Sequence, residues 1–431
     1  MEVMKDILLI IYWIIVALEI INAFWNMLKT CIAKRKINSI RVYENNNNRL
    51  SDCKILIIIP CLREQSIIKE TIDYFLNLIN DKDNIELIIV TTEKEKYEQL
   101  LTKQERSKTT FDVVNEYINE NKINKVKLLH YPYKDGIMAD QLNYVMKEYK
   151  NYNNSKKIYF SVYNADSRPN LDTINSVLNI IKNQDYPEII QQYSYAFSNL
   201  ENLSFIMKGF ALYQSNFEIK YGLINSLTFP NLLYTYVVGH GLYIRLDTLR
   251  KIEGFNNKFW CEDIYMSSII RNRNIKITPA LELENMETPK NISVLIKQNA
   301  NWFKTSNQWV KMIKSNLKKD KKISNSCKNW LFQRVRMNLS WLLWPIIIVL
   351  SFAIGIYYRN IILLVISIFS YIFMQICVYL STIKLIEKLE SKKINNKLNL
   401  ICAVCISTFI SNTGPLYSIF NFKMKKYKTE R

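Results

Sequence analysis

Long apolar segments near both ends of the chain constrain its fold more than any other feature. Residues 7–28, ILLIIYWIIVALEIINAFWNML, are long enough to cross a bilayer as one helix, and further apolar segments occupy 338–357, 361–383 and 398–422. Because a backbone inside a bilayer must satisfy its own hydrogen bonds, all of these segments are predicted to be helices. The stretch between them is therefore predicted to fold as a water-exposed domain that is carried on a membrane.

Basic residues beside these segments predict which way the chain faces. They are Lys29, Lys34, Arg35, Lys36 and Arg41 after the first segment, and Lys384, Lys388, Lys392, Lys393 and Lys397 before the last. Positive residues concentrate on the cytosolic side of membrane proteins. We therefore expect both groups to be cytosolic, the N-terminus outside, and the central domain in the cytosol against the inner cell membrane. The first segment lacks the small-residue cleavage site of a signal peptide.

The last segment leaves two alternatives open. If 398–422 crossed the bilayer completely, the basic tail from Lys423 to Arg431 would lie outside, against the charge rule. The sequence Asn412-Thr413-Gly414-Pro415 interrupts the segment, and a helix broken there would re-enter and leave the tail in the cytosol. Full crossing and re-entry are both compatible with the sequence.

The amino-acid composition limits which binding partners are expected for this chain. A formal net charge of +20 would suit nucleic acid, an anionic membrane or a phosphate-bearing substrate. Since the lysines cluster beside apolar segments, anionic lipid is the expected partner and nucleic acid is not. Eight cysteines without paired spacing argue against a disulfide framework. Cys402 and Cys405 form a C-x-x-C in an apolar segment, either as two buried thiols or as a metal or redox pair.

An Asn-rich link at 45–48 leads into a stretch with the alternating pattern of an α/β domain. Short β-branched runs predict strands at 54–60, 85–91, 126–131, 157–163 and 188–196. Amphipathic segments near 66–80, 111–121, 137–148 and 170–184 predict the helices that parallel crossovers need. Ligands bind at the carboxyl ends of the strands in such sheets, so the residues that follow each strand are the candidate site.

Several polar motifs follow these strands in order. They are Pro60-Cys61-Leu62-Arg63-Glu64, Asn164-Ala165-Asp166-Ser167, Gly239-His240-Gly241, Glu262-Asp263 and Gln298-Asn299-Ala300-Asn301-Trp302. In this order the chain resembles the family 2 glycosyltransferases of the Rossmann-like GT-A fold, especially the membrane-bound branch of cellulose, chitin and hyaluronan synthases and ceramide glucosyltransferases. The resemblance runs from about 54 to 310, about three fifths of the chain. It implies an α/β nucleotide-sugar domain that uses a UDP-sugar as donor.

The resemblance also implies roles on the donor side. Pro60 and Glu64 match a P-x-x-N-E loop along the base and ribose, with Arg63 in place of Asn. Glu93, after the second strand, stands where the family usually has aspartates that contact uridine, and Lys134 matches a lysine beside the diphosphate. A solvated loop lysine is the alternative for Lys134.

The family's metal-binding D-x-D becomes Asn164-x-Asp166 in this chain. A leaving nucleoside diphosphate develops negative charge that a cation must neutralise. One carboxylate and one amide oxygen can still bind Mg²⁺ or Mn²⁺, so metal dependence is expected. The alternative is that Asp166 begins a turn before Pro169 and a helix.

Glu262 and Asp263 precede an amphipathic helix and are the candidate catalytic residues, of which the resemblance assigns Asp263 as the base that deprotonates the acceptor hydroxyl. Helix capping is the alternative for both acids. Gln298 and Trp302 match a Q-x-x-R-W motif, with Asn301 in place of Arg, whose Trp forms a platform for the acceptor. An interfacial helix on the bilayer is the alternative there. His240 is a further acceptor-side candidate.

These observations predict inverting transfer of a sugar to a lipid-linked acceptor, giving a glycolipid. The alternatives are a processive synthase of a surface polysaccharide, which extends a glycan acceptor, and a non-catalytic membrane receptor for nucleotide-sugars. A transporter would need more apolar segments. The predicted divisions are 1–44 for the first membrane helix, 45–290 for the catalytic domain, 291–337 for interfacial helices and 338–431 for the C-terminal membrane region. The sugar and any accessory subunit stay open.

Overall fold

The computed structural model describes residues 2–44, 52–79, 82–101, 108–152, 154–306 and 308–421. The Asn-rich link at 45–48 and the basic tail from Lys423 lie outside these residues, so their placement stays a prediction.

Nine strands are present in this described part of the chain. They are β1 Lys54–Pro60, β2 Ile85–Thr92, β3 Val126–Tyr131, β4 Ile158–Val162, β5 Ile189–Gln191, β6 Ser194–Tyr195, β7 Leu242–Arg245, β8 Ile277–Pro279 and β9 Glu284–Asn285. Seven of them form one sheet in the order β3-β2-β1-β4-β7-β5-β8, and β6 pairs with β9 in a small second sheet. All neighbours in the large sheet are parallel except that β7 runs antiparallel to β4 and β5. The predicted α/β class is therefore confirmed.

The helices account for most of the remaining described residues. They are α1 Glu2–Glu44, α2 Ile68–Ile79, α3 Glu93–Leu101, α4 Thr110–Glu120, α5 Met138–Glu148, α6 Thr173–Asn183, α7 Phe205–Phe217, α8 Asn225–Thr228, α9 Leu246–Lys251, α10 Glu262–Asn272, α11 Ile292–Ser306, α12 Trp309–Asp320, α13 Asn325–Tyr357, α14 Ile361–Glu390, α15 Lys397–Phe409 and α16 Thr413–Phe420. A π-helix, Glu218–Ile224, joins α7 to α8.

Alternation of side chains divides the core into two layers around the large sheet. Ile55, Ile57 and Ile59 of β1 pack on one face, in a cluster that includes residues of α2, α4 and α6. Leu56 and Ile58 pack on the other face, with residues of α5, α9 and α10. Both faces of β1 are fully buried, as expected of a central parallel strand written as a continuous aliphatic run.

The predicted strand at 188–196 is divided in two by the structure. Its first part, β5, belongs to the large sheet, whereas β6 belongs to the small one. Between them, the Gln192 N–H donates to the Gly241 carbonyl at 2.8 Å and the Glu284 N–H donates to the Tyr193 carbonyl at 3.0 Å. These hydrogen bonds bring 239–241 and Glu284 next to each other at the edge of the sheet.

Four helices in the described part of the chain are long and apolar enough to cross a membrane: Val3–Arg41, Asn325–Tyr357, Ile361–Glu390 and Lys397–Phe420. The Tyr12 hydroxyl donates to the Leu363 carbonyl at 2.5 Å, near the start of α14. At the other end of α14, Lys388 Nζ donates to Asn38 Oδ1 at 2.5 Å. Thus α1 and α14 run side by side in the same direction, with their basic ends together.

The last apolar segment is a broken helix. Residues 410–412 separate α15 from α16, and α13 supplies hydrogen bonds to the break: Trp341 Nε1 donates to the Ser411 carbonyl at 2.9 Å, and Asn412 Nδ2 donates to the Leu342 carbonyl at 3.0 Å. Such partners allow irregular backbone at membrane depth.

Both halves of this broken helix pack against helices that precede the C-terminal apolar region. A Cβ on Gly209 of α7 would lie 2.4 Å from the Ala403 carbonyl oxygen of α15. A Cβ on Gly414 of α16 would lie 2.4 Å from the Asn299 Cβ of α11. This packing favours re-entry, which stays a prediction. The predicted division at 337/338 also stays a prediction, and α13 runs continuously across it.

We expect Lys36 and Lys392 to face the same side of the membrane, the cytosol. Arg41 Nη2 donates to the Leu389 carbonyl at 2.9 Å, so the two basic groups are neighbours in the fold. Single cysteines at 36 and 392, introduced into a background without the native thiols, should react with a membrane-impermeant maleimide only after the membrane is opened. Labelling of either position in intact cells would contradict this topology.

Candidate active site

The loop after β1 is held rigidly by a buried acid, Glu95, that no sequence motif marks. Glu95 is 1% exposed and accepts hydrogen bonds from the Arg63 N–H at 3.0 Å and the Thr110 N–H at 2.8 Å. Thr110 Oγ1 in turn accepts from the Glu64 N–H at 2.9 Å. The segment from Pro60, in register with Val90 of β2, to the buried Glu64 is therefore fixed at the carboxyl edge of the sheet.

Glu93 lies at the same edge, at the start of α3. Its Oε2 lies 3.0 Å from His130 Nε2, and His130 Nδ1 lies 2.9 Å from Thr91 Oγ1. The Phe111 ring packs edge-on against the imidazole, with ring centroids 4.8 Å apart. These contacts fix the orientation of the Glu93 carboxylate beside the ends of β2 and β3.

Lys134 follows β3 in an exposed loop. Its Nζ lies 5.0 Å from the centroid of the Tyr97 ring on α3, a cation–π contact. The loop ends at α5, where Asp140 Oδ2 accepts from the Ile137 N–H at 2.9 Å. The lysine is thus positioned over α3, on the Glu93 side of the sheet edge.

A tight turn after β4 carries Asn164 and Asp166, both half-buried. The Ser167 N–H donates to the Asn164 carbonyl at 3.1 Å, and the Asn164 N–H donates to Ser167 Oγ at 3.0 Å. Within the described residues, no group of three or more His, Cys, Asp or Glu side chains is arranged to hold a metal. One carboxylate and one amide fit a Mg²⁺ or Mn²⁺ ion only if the donor's phosphate oxygens and water complete its coordination, which is the usual way Mg²⁺ binds.

Asp263 and Glu262 form the first turn of α10 and meet the loop before β7. Asp263 Oδ2 accepts from the Gly239 N–H at 3.2 Å, and Asp263 Oδ1 accepts from the Ile264 N–H at 2.7 Å. A Cβ on Gly239 would lie 3.8 Å from Asp263 Oδ2 and 3.9 Å from Glu262 Oε1, in ordinary van der Waals contact. Both carboxylates therefore face the same loop.

His240, the next residue of that loop, is in a buried ion pair. Its Nδ1 lies 2.7 Å from Glu284 Oε2, and the two side chains are 13% and 2% exposed. Burial opposes the charged imidazole, but the carboxylates of Glu284, Glu218 and Asp166 outweigh it and raise the pKa of His240 to about 9. The ring therefore links the Asp166 turn electrostatically to the loop that contacts Asp263.

Gly241 completes this loop in a conformation that requires glycine. Its φ is +62°, and a Cβ would lie 2.7 Å from the Gln192 carbonyl oxygen. The loop is thereby held tightly against the residue that separates β5 from β6.

Glu218 is a further member of this cluster that the motifs did not reveal. It begins the π-helix, a rare element that often marks functional sites. Its Oε1 accepts from the Tyr236 hydroxyl at 3.2 Å, while its Oε2 is buried without a hydrogen-bond partner among the described residues. Burial raises the pKa of Glu218 to about 7, opposed by the charge of His240 and reinforced by Asp263. An acid inside the apolar run FALYQSNFEIKYGLI was the one available sequence signal.

The Gln298–Trp302 segment lies on α11, which packs next to the start of α10. Asn301 Oδ1 accepts from Trp260 Nε1 at 3.3 Å, and Thr305 Oγ1 donates to Cys261 Sγ at 2.9 Å. Gln298 Oε1 is buried and has no hydrogen-bond partner in the part of the chain that the structure describes, and Trp302 is half-buried. The structure therefore places this segment beside Glu262 and Asp263.

We expect the stability of the protein to fall as pH rises from about 7 to beyond 9. The folded pKa of His240, about 9, exceeds the ordinary 6.5, so the stabilisation is complete below 6.5 and is lost as pH rises through 9. Thermal unfolding in detergent across this range should show the decline, and His240→Asn should be less stable but flatter with pH. Wild-type stability that increases with pH in this range would contradict the assignment.

Comparisons with known proteins give likenesses of fold only. No protein-family model and no curated protein matches the chain. It is similar to a mannosyltransferase from Pyrobaculum calidifontis in complex with GDP-Man and Mn²⁺, at 12% identity and a TM-score of 0.49, over 96% of this chain and 100% of that one. It is also similar to S. aureus TarS 1-349 in complex with UDP-GlcNAc, at 12% identity and a TM-score of 0.40, over 80% and 93% of the two chains.

A third similar structure is the glucosyl-3-phosphoglycerate synthase from Mycobacterium tuberculosis in complex with Mg²⁺ and UDP. The identity is 10% and the TM-score 0.34, over 58% of this chain and 79% of that one. Because these likenesses concern the fold alone, the activity of this chain must be inferred from the side chains of its own site.

Proposed function

We propose that this chain is a membrane-anchored, inverting glycosyltransferase of GT-A fold that transfers a sugar from a UDP-sugar to a lipid-linked acceptor at the cytosolic face. The observation that carries the proposal is the meeting of Asp263 with the Gly239–Gly241 loop. The Asp263 carboxylate, at the start of α10, accepts a hydrogen bond from the Gly239 N–H at 3.2 Å. The adjacent His240 interacts electrostatically with Asp166, which lies just after β4. A proton acceptor and a donor-side carboxylate thus both act on the Gly239–Gly241 loop.

The donor side is assigned to residues at the ends of β1 to β4. Pro60 and Glu64 would contact the nucleoside along the rigid loop after β1, with Glu93 near the base. Asp166 and Asn164 would hold Mg²⁺ or Mn²⁺, which when bound neutralises charge on the diphosphate. Lys134 would leave Tyr97 and add a second positive charge there.

The catalytic step is assigned to Asp263. In inverting transfer, the acceptor oxygen forms its bond to the anomeric carbon while the bond to the UDP oxygen breaks, and the acceptor proton must leave. Asp263 takes that proton as an ionised carboxylate. The Gly239 N–H donates to this carboxylate, and the N-terminus of α10 lies beside it, so both can stabilise its negative charge.

The acceptor side is assigned to α11, which lies between the start of α10 and the broken C-terminal helix. Gln298 and Trp302 on α11, together with His240, would contact the acceptor. Since α11 packs on α16 through Asn299 and Gly414, an acceptor that arrives from the bilayer would reach Asp263 along this helix. That arrangement supports a lipid-linked acceptor and a catalytic domain on the membrane surface.

Incubation of membranes that contain the chain with labelled UDP-sugars tests this function. We expect a labelled product that extracts into organic solvent and whose anomeric configuration is opposite to that of the donor. A product that stays behind as polymer would identify a processive synthase. Donor binding without turnover would identify a receptor and refute the proposed transfer.

A further inference from the structure

Three cationic side chains come together where α1, the π-helix and α13 meet. Lys29 of α1 is 3% exposed, and its Nζ donates to Asn225 Oδ1 at 3.0 Å. Lys220 of the π-helix and Arg336 of α13 are both close enough to Lys29 to act on it electrostatically, and Arg336 acts on Lys220 in the same way. We call Lys29, Lys220 and Arg336 the cation cluster.

The cation cluster has no neutralising acid among the described residues. None of its three members is in an ion pair with Asp or Glu in that part of the chain. Burial and the charge of Arg336 lower the pKa of Lys220 to about 8. Like charges held together at a partly buried site repel one another, and an anion placed between them would remove both the repulsion and the desolvation cost.

Its position along the chain is the level of the lipid headgroups. Lys29 directly follows the apolar residues 7–28, and Arg336 stands two residues before the apolar segment 338–357. Trp25, on the membrane side of Lys29, stacks on Phe229 with ring centroids 6.3 Å apart, and Phe332 near Arg336 is 68% exposed. Aromatic and basic side chains in this order are typical of a helix that leaves a bilayer.

The π-helix connects the cation cluster to the candidate active site. Lys220 lies two residues after Glu218. The Glu218 carboxylate interacts electrostatically with Asp263 and His240. Asn225, the partner of Lys29, donates through Nδ2 to the Tyr234 carbonyl at 2.8 Å. Tyr234 stacks on Tyr236, which donates to Glu218, with ring centroids 5.5 Å apart. A chain of contacts through Asn225, Tyr234 and Tyr236 therefore runs from the cluster to Glu218, the acid on which Asp263 acts electrostatically.

We propose that Lys29, Lys220 and Arg336 bind the phosphate of the lipid acceptor, so that the acceptor class is a phosphate-bearing membrane lipid rather than a neutral one. This inference rests on the proposed glycosyl transfer. A phosphate offers oxygens to all three cations, and the Arg336 guanidinium can bind two of them at once. The phosphate is bound and does not react.

Lipid binding to the purified full chain in detergent tests the site without any sugar transfer. The probes are phosphatidic acid, diacylglycerol as the neutral lipid of the same chains, and inorganic phosphate, each measured by native mass spectrometry and by competition. We expect phosphatidic acid to bind and diacylglycerol to bind at least about tenfold more weakly, because a charge-assisted hydrogen bond to phosphate is lost. Equal binding of the two lipids would overturn the proposal, and so would inorganic phosphate that binds as tightly as the lipid.

Substitutions in the cation cluster test whether phosphatidic acid binds there. Lys220→Gln and Arg336→Gln should each weaken phosphatidic acid binding on the order of tenfold, and Lys29→Gln should do the same while keeping a donor for Asn225. Lys147→Gln is the matched control, since it removes one exposed positive charge on α5, outside both basic groups, and should leave binding unchanged. An equal loss in the control would show general attraction to anionic lipid and overturn the site.

Sugar-transfer assays distinguish the proposed glycosyl transfer from the proposed phosphate binding by the cation cluster. If the wild type binds phosphatidic acid through these three residues but transfers sugar to no acceptor, the binding site is supported and the proposed function is refuted. If the wild type transfers sugar equally well to neutral lipids and Lys220→Gln keeps that activity, the function is supported and the inference is refuted.

Discussion

Asp263→Asn is expected to lower sugar transfer by at least about 10²-fold, because general-base contributions are commonly about 10²- to 10⁴-fold. Asparagine keeps the size of the side chain and an oxygen that can accept the Gly239 N–H, which lies 3.2 Å from Asp263 Oδ2. The substitution removes the negative charge of the side chain and with it the ability to take a proton. UDP-sugar binding, expression in membranes and thermal stability should stay near those of the wild type.

Glu262→Gln is the matched control for this experiment. Glu262 occupies the same first turn of α10 and faces the same glycine, since a Cβ on Gly239 would lie 3.9 Å from its Oε1, so it shares the helix dipole and the loop. We expect it to keep most of the activity. If Glu262→Gln loses transfer and Asp263→Asn keeps it, the base is the other carboxylate. If both variants stay active, the inverting mechanism is refuted.

The strands of the α/β domain are the part of the fold that the sequence predicted best. The predicted limits 54–60 and 126–131 coincide with β1 and β3, since aliphatic runs bounded by polar residues have few alternatives. The antiparallel β7 and the short β8 and β9 were not predicted. Each has four residues or fewer, too short for a periodic pattern, and β7 is placed by its pairing with β4 and β5.

Some residues of the candidate site were predicted from the sequence and others were not, for a similar reason. Asp263 and Asp166 stand next to regular elements, where local sequence marks an end of a helix or strand. Glu95, Glu218 and Glu284 matter through partners far away in sequence: Glu284 pairs with His240 across 44 residues, and Glu95 holds Arg63 across 32. Such pairs depend on tertiary packing, which periodicity does not encode.

The long apolar helices are the opposite case, because their local structure was predictable and their tertiary contacts were not. Their existence follows from apolar length alone, but their packing does not. The sequence left open whether the last segment crosses or re-enters, and the structure adds that 410–412 is a break whose backbone is bonded to α13. It also shows that α1 continues past residue 28 to Glu44 and packs on α8 through Lys29 and Lys36. The first helix thus also supports the α/β domain.

Asp166→Ala is expected to lower divalent-dependent transfer on the order of 10²- to 10³-fold, the size of effect seen when a group that stabilises developing charge is removed. Asp166 is the acid of the turn after β4, where Asn164 offers only a neutral oxygen, so its loss leaves the cation no carboxylate in that turn. Donor affinity should also lose its dependence on Mn²⁺ when it is measured by equilibrium binding with and without EDTA.

Asp172→Ala is the matched control for Asp166→Ala. Asp172 is an exposed acid six residues further along, at the start of α6, where its side chain makes no capping hydrogen bond to the described backbone of that helix. It carries the same charge but lies away from the turn, and its loss should leave both transfer and the Mn²⁺ dependence unchanged. Asn164→Asp restores the second carboxylate and should lower the Mn²⁺ concentration needed for half-maximal donor binding. Full activity of Asp166→Ala, or wild-type transfer that is indifferent to EDTA, would instead place the neutralisation of the diphosphate on Lys134.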